Sequence, residues 1–211
     1  MRKSRVLAIT GFVISLLCAY PLSAQVGLKG GVNFSTLSQK GAGLVSFSWG
    51  SAAGFTLGAF YTVNINEYLA FQPELFYSKK GGKLEGGILG VLGSKSIAIH
   101  YLELPLFLKL KFPTQSRVNP NLFVGPYLSL KLSDKGEIKV LGIELEEELV
   151  GIKSSDFGLV FGGGVDFNVK NAIVILDIRY DLGLVNIVEP ILGIENEMKN
   201  RSLILMVGVG F

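Results

Sequence analysis

The chain has 211 residues with 20 basic and 17 acidic side chains, one histidine and one cysteine, and 49% of its residues are hydrophobic. This length suits a single domain. Beyond the N-terminal segment, no stretch offers the roughly 20 apolar residues that a membrane-spanning helix needs without a charge, a proline or a glycine-rich break. Three of the 20 basic residues lie within the first five positions, so the rest of the chain carries 17 basic and 17 acidic side chains and no basic patch is left for nucleic acid.

The N-terminal segment has the pattern of a secretory signal peptide. Three basic residues lie within the first five positions, an apolar run follows at residues 6–17, and the small residue Ala24 ends the segment. We therefore predict a signal peptide at residues 1–24 and one domain at residues 25–211. The only cysteine, Cys18, lies in the signal peptide, so we expect no disulfide in the exported domain.

The remaining sequence alternates between apolar and more polar residues with a period of two, which is typical of β-strands. The clearest case is residues 101–112, where five leucines from Leu102 to Leu110 and then Phe112 share one face. A helix would scatter these positions around its circumference, whereas a strand separates them. Eight such strands are predicted, at residues 27–35, 54–64, 69–78, 101–112, 121–133, 156–168, 172–183 and 201–211.

The predicted connections alternate between short and long. The short ones are rich in Asn and Pro, as turns are, and lie at residues 64–67, 113–120 and 169–171. The long ones lie at residues 36–52, 79–96, 134–154 and 184–200. Short turns on one side, long loops on the other and an even number of strands are the arrangement of a bacterial outer-membrane barrel. Both termini are then expected on the periplasmic side.

Alternation alone does not say which row of residues faces outward, because a soluble lipocalin-like barrel places its apolar row inside. In that case the other row would meet water and be rich in Lys and Glu. Here it combines glycines such as Gly58 and Gly162 with aromatics such as Phe76 and Phe107, which suits a packed interior. We predict an all-β, eight-stranded antiparallel up-and-down transmembrane β-barrel in the outer membrane of a Gram-negative bacterium.

The predicted interior row also carries charged residues, with basic and acidic side chains in equal number. A buried charge without a partner costs several kcal/mol, so we predict that these residues form an interior charge network. They are Lys29, Lys109, Lys111, Lys131 and Arg179, and Glu74, Glu103, Asp166, Asp177 and Asp181. The same residues leave a narrow pore for small solutes open as an alternative, although an eight-stranded barrel is only just wide enough for its own side chains.

Several segments together resemble the PorT-like family of outer-membrane β-barrels. They are residues 27–35, 71–78, 101–106, 125–127 and 161–166. The resemblance covers nearly the whole exported chain and implies the barrel fold. It says little about activity, but the founding member is linked to a protein-secretion pathway. It therefore implies a structural or interaction role, as an accessory to protein secretion or surface assembly.

The last strand resembles the C-terminal signal that the outer-membrane barrel-assembly machinery reads. Its alternating apolar residues are Leu203, Leu205, Val207, Val209 and the terminal Phe211. The expected partners are therefore this machinery during biogenesis, outer-membrane lipid and lipopolysaccharide, and a protein partner bound through the outer loops.

Nothing in the sequence indicates catalysis, a metal or a cofactor. His100 is the only histidine, which excludes a multi-histidine metal site, and the glycine run at residues 162–164 lacks the ending of a phosphate loop. A catalytic site at the outer rim would need His100 together with Ser96, Asp134 or Asp156. We expect no enzyme, cofactor or metal, and rank a structural or interaction role before a narrow pore and a rim enzyme.

Overall fold

The structure, a computed structural model, describes residues 24–40, 50–84, 93–140, 143–147, 151–189 and 197–211. The predicted signal peptide lies outside these residues except for Ala24. The described residues form nine strands: β1 (Ala24–Lys40), β2 (Gly50–Asn64), β3 (Leu69–Leu84), β4 (Gly93–Lys111), β5 (Val118–Val140), β6 (Ile143–Glu147), β7 (Ser155–Val169), β8 (Ala172–Gly183) and β9 (Glu197–Gly210). No helix in the described ranges has the length and hydropathy of a membrane span.

Eight of the strands form a closed antiparallel barrel. The order is β4-β3-β2-β1-β9-β8-β7-β5, and a further pairing between β4 and β5 closes the sheet. The first and last barrel strands pair from Gly27 opposite Gly210 to Lys40 opposite Glu197. The predicted eight-stranded antiparallel barrel is therefore confirmed. Closure matters because an open edge in hydrocarbon would leave backbone N–H and C=O groups unpaired.

The two faces of the wall follow the predicted alternation. Along β4, Tyr101, Glu103 and Phe107 are buried, whereas Leu104 and Leu108 are 43% and 48% exposed. The other barrel strands repeat this pattern, so large apolar side chains cover the outside of the wall. We call this surface the apolar band. Its content excludes a soluble lipocalin-like arrangement, which would bury these residues.

The three short connections lie at one end of the barrel, together with the start of β1 and the end of β9. At residues 65–68, the Asn66 side chain accepts hydrogen bonds from the backbone N–H of Tyr68 and Leu69, both at 2.8 Å. Between β7 and β8 the chain reverses through Lys170, which has a positive φ of 52°. This end is called the turn end, and the opposite end the loop end.

The barrel strands continue further toward the loop end than the sequence predicts. β1 extends to Lys40 and β3 to Leu84, β4 starts at Gly93, and β5 extends to Val140. These residues were expected in long loops, and that expectation is wrong. The outward row becomes polar beyond the apolar band, so its apolar residues no longer mark a strand, yet the backbone continues to pair. Part of the loop expected at residues 134–154 also forms β6, which pairs with the extension of β5.

An apolar cluster closes the loop end of the lumen. Ile187 is fully buried, and its backbone N–H donates to the carbonyl of Met198 at 2.9 Å. A β-bridge joins Ile152 to Val188, which ties the segment before β7 to the segment after β8. The buried members come from opposite walls, so the cluster spans the lumen. They are Leu37, Ile97, Ile99, Tyr101, Ile187 and Met198.

Candidate functional site

The centre of the lumen holds a continuous chain of buried ion pairs in which acids and bases alternate. We call it the central ion-pair chain, and its members in order are Asp177, Lys29, Glu74, Arg179, Asp181, Lys80 and Glu103. All are buried. They come from β1, β3, β4 and β8, so the chain crosses the lumen and joins opposite walls.

One half of the chain is built around Lys29 on β1. Its ammonium group donates to Glu74 Oε1 at 2.8 Å and to Asp177 Oδ2 at 2.6 Å. The other carboxylate oxygen of Glu74 accepts from Arg179 Nη1 at 3.0 Å. Glu74 also accepts from the Gln72 amide at 2.7 Å. Each charge here therefore has an opposite charge and a hydrogen bond, which a buried ion pair requires in order to offset desolvation.

The other half is built around Lys80 on β3. Its ammonium group lies 2.5 Å from Glu103 Oε1 and 2.9 Å from Asp181 Oδ2. Glu103 additionally accepts hydrogen bonds from the hydroxyls of Ser78 at 2.9 Å and Ser129 at 3.1 Å. The Lys80 side chain has no exposed surface. This lysine is the link between the two acids at this end of the chain.

Aromatic rings cover the cations of the chain. Lys29 lies 4.8 Å from the centroid of the Phe60 ring, Lys80 lies 5.0 Å from Tyr127, and the Arg179 guanidinium lies 4.8 Å from Phe76. The negative face of a ring favours a cation. The rings also fill the space beside the ion pairs, so the lumen combines electrostatic pairing with close packing.

The remaining members of the predicted charge network lie apart from this chain. Lys109 pairs with Asp166 at 2.9 Å toward the turn end. Lys111 donates to the Asn64 side chain at 2.7 Å. Lys131 is half-buried toward the loop end, where it contacts Asp134 at 3.1 Å and the Ile152 carbonyl at 2.9 Å. The ten predicted residues therefore lie at several separate levels of the barrel.

The sequence prediction missed Lys80. It assigned residues from 79 onward to a loop, although Lys80 continues the inward row of Glu74, Phe76 and Ser78 with the same spacing of two. That spacing was the available signal. The strand continues because β4 still pairs with it, with Lys80 opposite Ile99.

A second buried polar group lies next to the apolar cluster at the loop end. Asp156 Oδ2 accepts hydrogen bonds from the Tyr127 hydroxyl at 3.1 Å and from the Asn200 amide at 2.8 Å. Asn200 also donates to the Tyr101 hydroxyl at 3.3 Å. The second oxygen of Asp156 and the amide oxygen of Asn200 are buried without a hydrogen-bond partner.

The residues of the conceivable rim enzyme do not come together. His100 lies in the outward row of β4, where its Nδ1 contacts the Tyr77 hydroxyl at 2.5 Å. Asp156 points into the lumen on the other side of the wall. Ser96 precedes His100 by four residues on the same strand, about 13 Å away at the usual rise per residue, and Asp134 pairs with Lys131. Within the described ranges, no group of three His, Cys, Asp or Glu residues is placed to hold a metal ion.

The predicted assembly signal lies on the outward face of β9. Leu203, Leu205 and Val207 are exposed in the apolar band, and Phe211 is 69% exposed at the turn end. The backbone of Phe211 pairs with Val26 through hydrogen bonds of 2.9 and 3.2 Å. The terminal residue thus lies at the seam between the first and last strands.

Comparison with known sequences identifies a family. Residues 19–189 match the family described as outer membrane protein beta-barrel domain. A search of curated proteins finds no match.

Similar barrels are found among solved structures. Ail of Yersinia pestis is 16% identical with a TM-score of 0.45, and the alignment covers 90% of this chain and 100% of Ail. Neisserial surface protein A is 19% identical with a TM-score of 0.46, covering 88% and 95%. Escherichia coli outer membrane protein W is 14% identical with a TM-score of 0.46, covering 91% and 99%. At such identities the likeness concerns the fold, and one fold serves many functions.

Proposed function

Because the chain belongs to the outer membrane protein beta-barrel domain family, we propose that it is an outer-membrane protein with a filled lumen and a structural or interaction role. The loop end faces the cell exterior in this proposal, and both termini lie in the periplasm. The finer role is that of an accessory to protein secretion or surface assembly, as the likeness to PorT-like barrels suggests. The barrel-assembly machinery inserts it by reading β9 and Phe211.

The observation that carries this proposal is the filling of the lumen. The central ion-pair chain crosses the middle, and the apolar cluster around Ile187 closes the loop end. Between the ion-pair chain and the turn end, the tilted rings of Phe107 and Phe123 pack with their centroids 4.9 Å apart. An eight-stranded barrel has room for its side chains and little else. Solute passage would require several of these contacts to break together.

The extensions of β3, β4 and β5 beyond the apolar band support an interaction role. Lys83 on β3 and Ser133 and Lys135 on β5 are exposed polar residues of the outward face. They belong to a hydrogen-bonded sheet surface outside the lipid region, which suits a protein partner.

A narrow pore remains the second candidate because the lumen contains buried polar atoms without hydrogen-bond partners. They include Asn33 Oδ1, Asp177 Oδ1, Asp181 Oδ1 and Ser202 Oγ. Such atoms are normally satisfied by buried water, and a connected row of waters would be a path for small ions. We propose no catalytic function, since His100 and Asp156 lie on opposite faces of the wall.

Planar-bilayer recording distinguishes the two candidates. The refolded protein, checked for its compact form by a heated-versus-unheated gel, should give no discrete conductance steps. Steps that change in size in a Lys80→Ala variant would overturn the filled-lumen proposal and establish the pore.

Photo-cross-linking in intact cells tests the interaction role. A cross-linking residue at the exposed position Lys83 on β3 should form an adduct with a protein. The same residue at Leu75, which is 49% exposed in the apolar band of the same strand, should not. Equal labelling at the two positions, or none at position 83, would contradict the role.

A further inference from the structure

A cluster of basic side chains borders the apolar band at the loop end. Lys79 lies opposite His100 across the β3–β4 pair, and Lys135 on β5 lies opposite Ala98, two residues from His100 on β4. Together with Tyr77, these two lysines and His100 form what we call the rim cluster. Lys79, His100 and Lys135 lie beyond the last outward leucines of their strands, which are Leu75, Leu102 and Leu132, so these three residues are outside the membrane-spanning part of the wall. Tyr77 lies at its edge, opposite Leu102.

The aromatic rings of this region are held in a row. The ring centroids of Phe55 and Tyr77 are 5.6 Å apart, and those of Tyr77 and His100 are 5.7 Å apart. The Tyr77 hydroxyl contacts His100 Nδ1 at 2.5 Å. When this hydroxyl donates to Nδ1, the imidazole proton is on Nε2, because the hydrogen bond of one ring nitrogen sets the state of the other. Nε2–H is then a donor with a fixed direction.

The electrostatics of the rim cluster favour an anion. Burial, together with the positive charges of Lys79 and Lys135, lowers the pKa of His100. The groups that face His100 are Tyr77 and Lys79 on β3 and Ser133 and Lys135 on β5. An anion bound between the lysines would reverse their effect and favour the imidazolium form.

The position of the rim cluster indicates the source of the anion. Directly below it the wall is apolar, with Leu75, Leu104 and Leu128 all more than 40% exposed. A ligand that meets both surfaces has acyl chains joined to a charged head, and basic residues at this depth attract anionic headgroups. In the outer leaflet of an outer membrane, that lipid is lipopolysaccharide, whose lipid A carries phosphate groups.

We propose that Tyr77, Lys79, His100 and Lys135 bind a lipid A phosphate of lipopolysaccharide. The ammonium groups neutralise the phosphate, His100 Nε2 donates a hydrogen bond to it, and the acyl chains lie along the apolar band below. The assignment to this lipid rests on the proposed orientation of the loop end toward the exterior.

The single histidine makes the site directly observable. In protein labelled at histidine and held in nanodiscs, one NMR signal reports the pKa of His100. Adding diphosphorylated lipid A should raise this pKa by about one pH unit, as a nearby opposite charge does. Lys79→Gln should abolish the rise, whereas Lys83→Gln, four residues further along β3 and exposed, should preserve it.

Two further titrations of His100 distinguish a lipid-bound phosphate from free phosphate as the ligand. Dephosphorylated lipid A and millimolar inorganic phosphate should each leave the signal unchanged. An equal rise with dephosphorylated lipid, or a rise that persists in Lys79→Gln, would overturn the proposal; an equal rise with inorganic phosphate would overturn the lipid as the source. The titration involves neither conductance nor a protein partner, so its failure is distinct from failure of the filled-lumen proposal.

Discussion

Replacing Lys80 by methionine tests the central ion-pair chain most directly. Methionine keeps most of the aliphatic stem and removes the ammonium group. Glu103 and Asp181, whose oxygens lie 2.5 and 2.9 Å from that group, would then share a buried site without the cation between them. The packing changes little, so the measured effect is electrostatic.

The expected cost is large because the lysine side chain has no exposed surface. Removing one partner of a buried pair costs about 3 to 5 kcal/mol, since it leaves an uncompensated charge. The hydroxyl donors of Ser78 and Ser129 to Glu103 remain, and they reduce the cost without replacing the lost charge. We therefore expect Lys80→Met to lower the free energy of unfolding by about 3 kcal/mol or more.

Urea unfolding in detergent micelles, followed by the gel mobility of the folded form, measures this change. Lys79→Met is the matched control, because Lys79 is the neighbouring lysine on the outward face, and its effect should fall within experimental error. The double variant Lys80→Met with Glu103→Gln should recover part of the loss, since removing both charges of a pair is often close to neutral. A loss below about 1 kcal/mol for Lys80→Met would refute the reasoning, because it would mean that Lys80 is not a buried partner of these acids.

Three other variants test the packing, the second polar group and the assembly signal. A Cβ at Gly158 would lie 2.5 Å from the Tyr127 ring, so Gly158→Ala should lower the free energy of unfolding by about 1 to 3 kcal/mol through overpacking. The control is Gly30→Ala on the outward face, where the nearest atom lies 3.3 Å from the added Cβ. Equal thermal unfolding midpoints for the two variants would contradict the overpacking. Asp156→Ala removes the acceptor of the Tyr127 hydroxyl and should lower the free energy of unfolding in urea by about 1 to 3 kcal/mol, and Asp156→Asn should lower it less. A larger loss for Asp156→Asn than for Asp156→Ala would contradict this hydrogen bond. Phe211→Ala should reduce the amount of protein in outer-membrane fractions several-fold while leaving refolding in detergent unchanged, and a normal amount in the membrane would dismiss the terminal residue as a signal.

Much of the barrel follows from local sequence pattern. Alternation along residues 101–112 separates Leu104 and Leu108 from Glu103 and Phe107 wherever the strand lies, because successive side chains of a strand point to opposite faces. The short turn at Asn66 and the row of apolar residues that ends at Phe211 are also local features. The fold class, the order of turns and loops and the side of each residue were therefore predictable.

The ends of the strands were not predictable in this way. The segment from Lys79 to Leu84 loses its apolar row beyond the apolar band, yet it remains a strand because β4 provides backbone partners. Pairing depends on a neighbour that is distant in sequence, and no local pattern reports it. For this reason both Lys80 in the lumen and Lys79 in the rim cluster were assigned to a loop.

Within the predicted strands, the sequence by itself determined which residues face the lumen, because the direction of a side chain in a strand depends only on its position. Tertiary structure alone decided which charges meet. Lys29 pairs with Glu74, 45 residues away, and with Asp177, 148 residues away, because closing the wall between β4 and β5 sets the relative heights of all the strands. The prediction contained charges in equal number, whereas the closed barrel orders Lys29, Arg179 and Lys80 between acids from opposite walls.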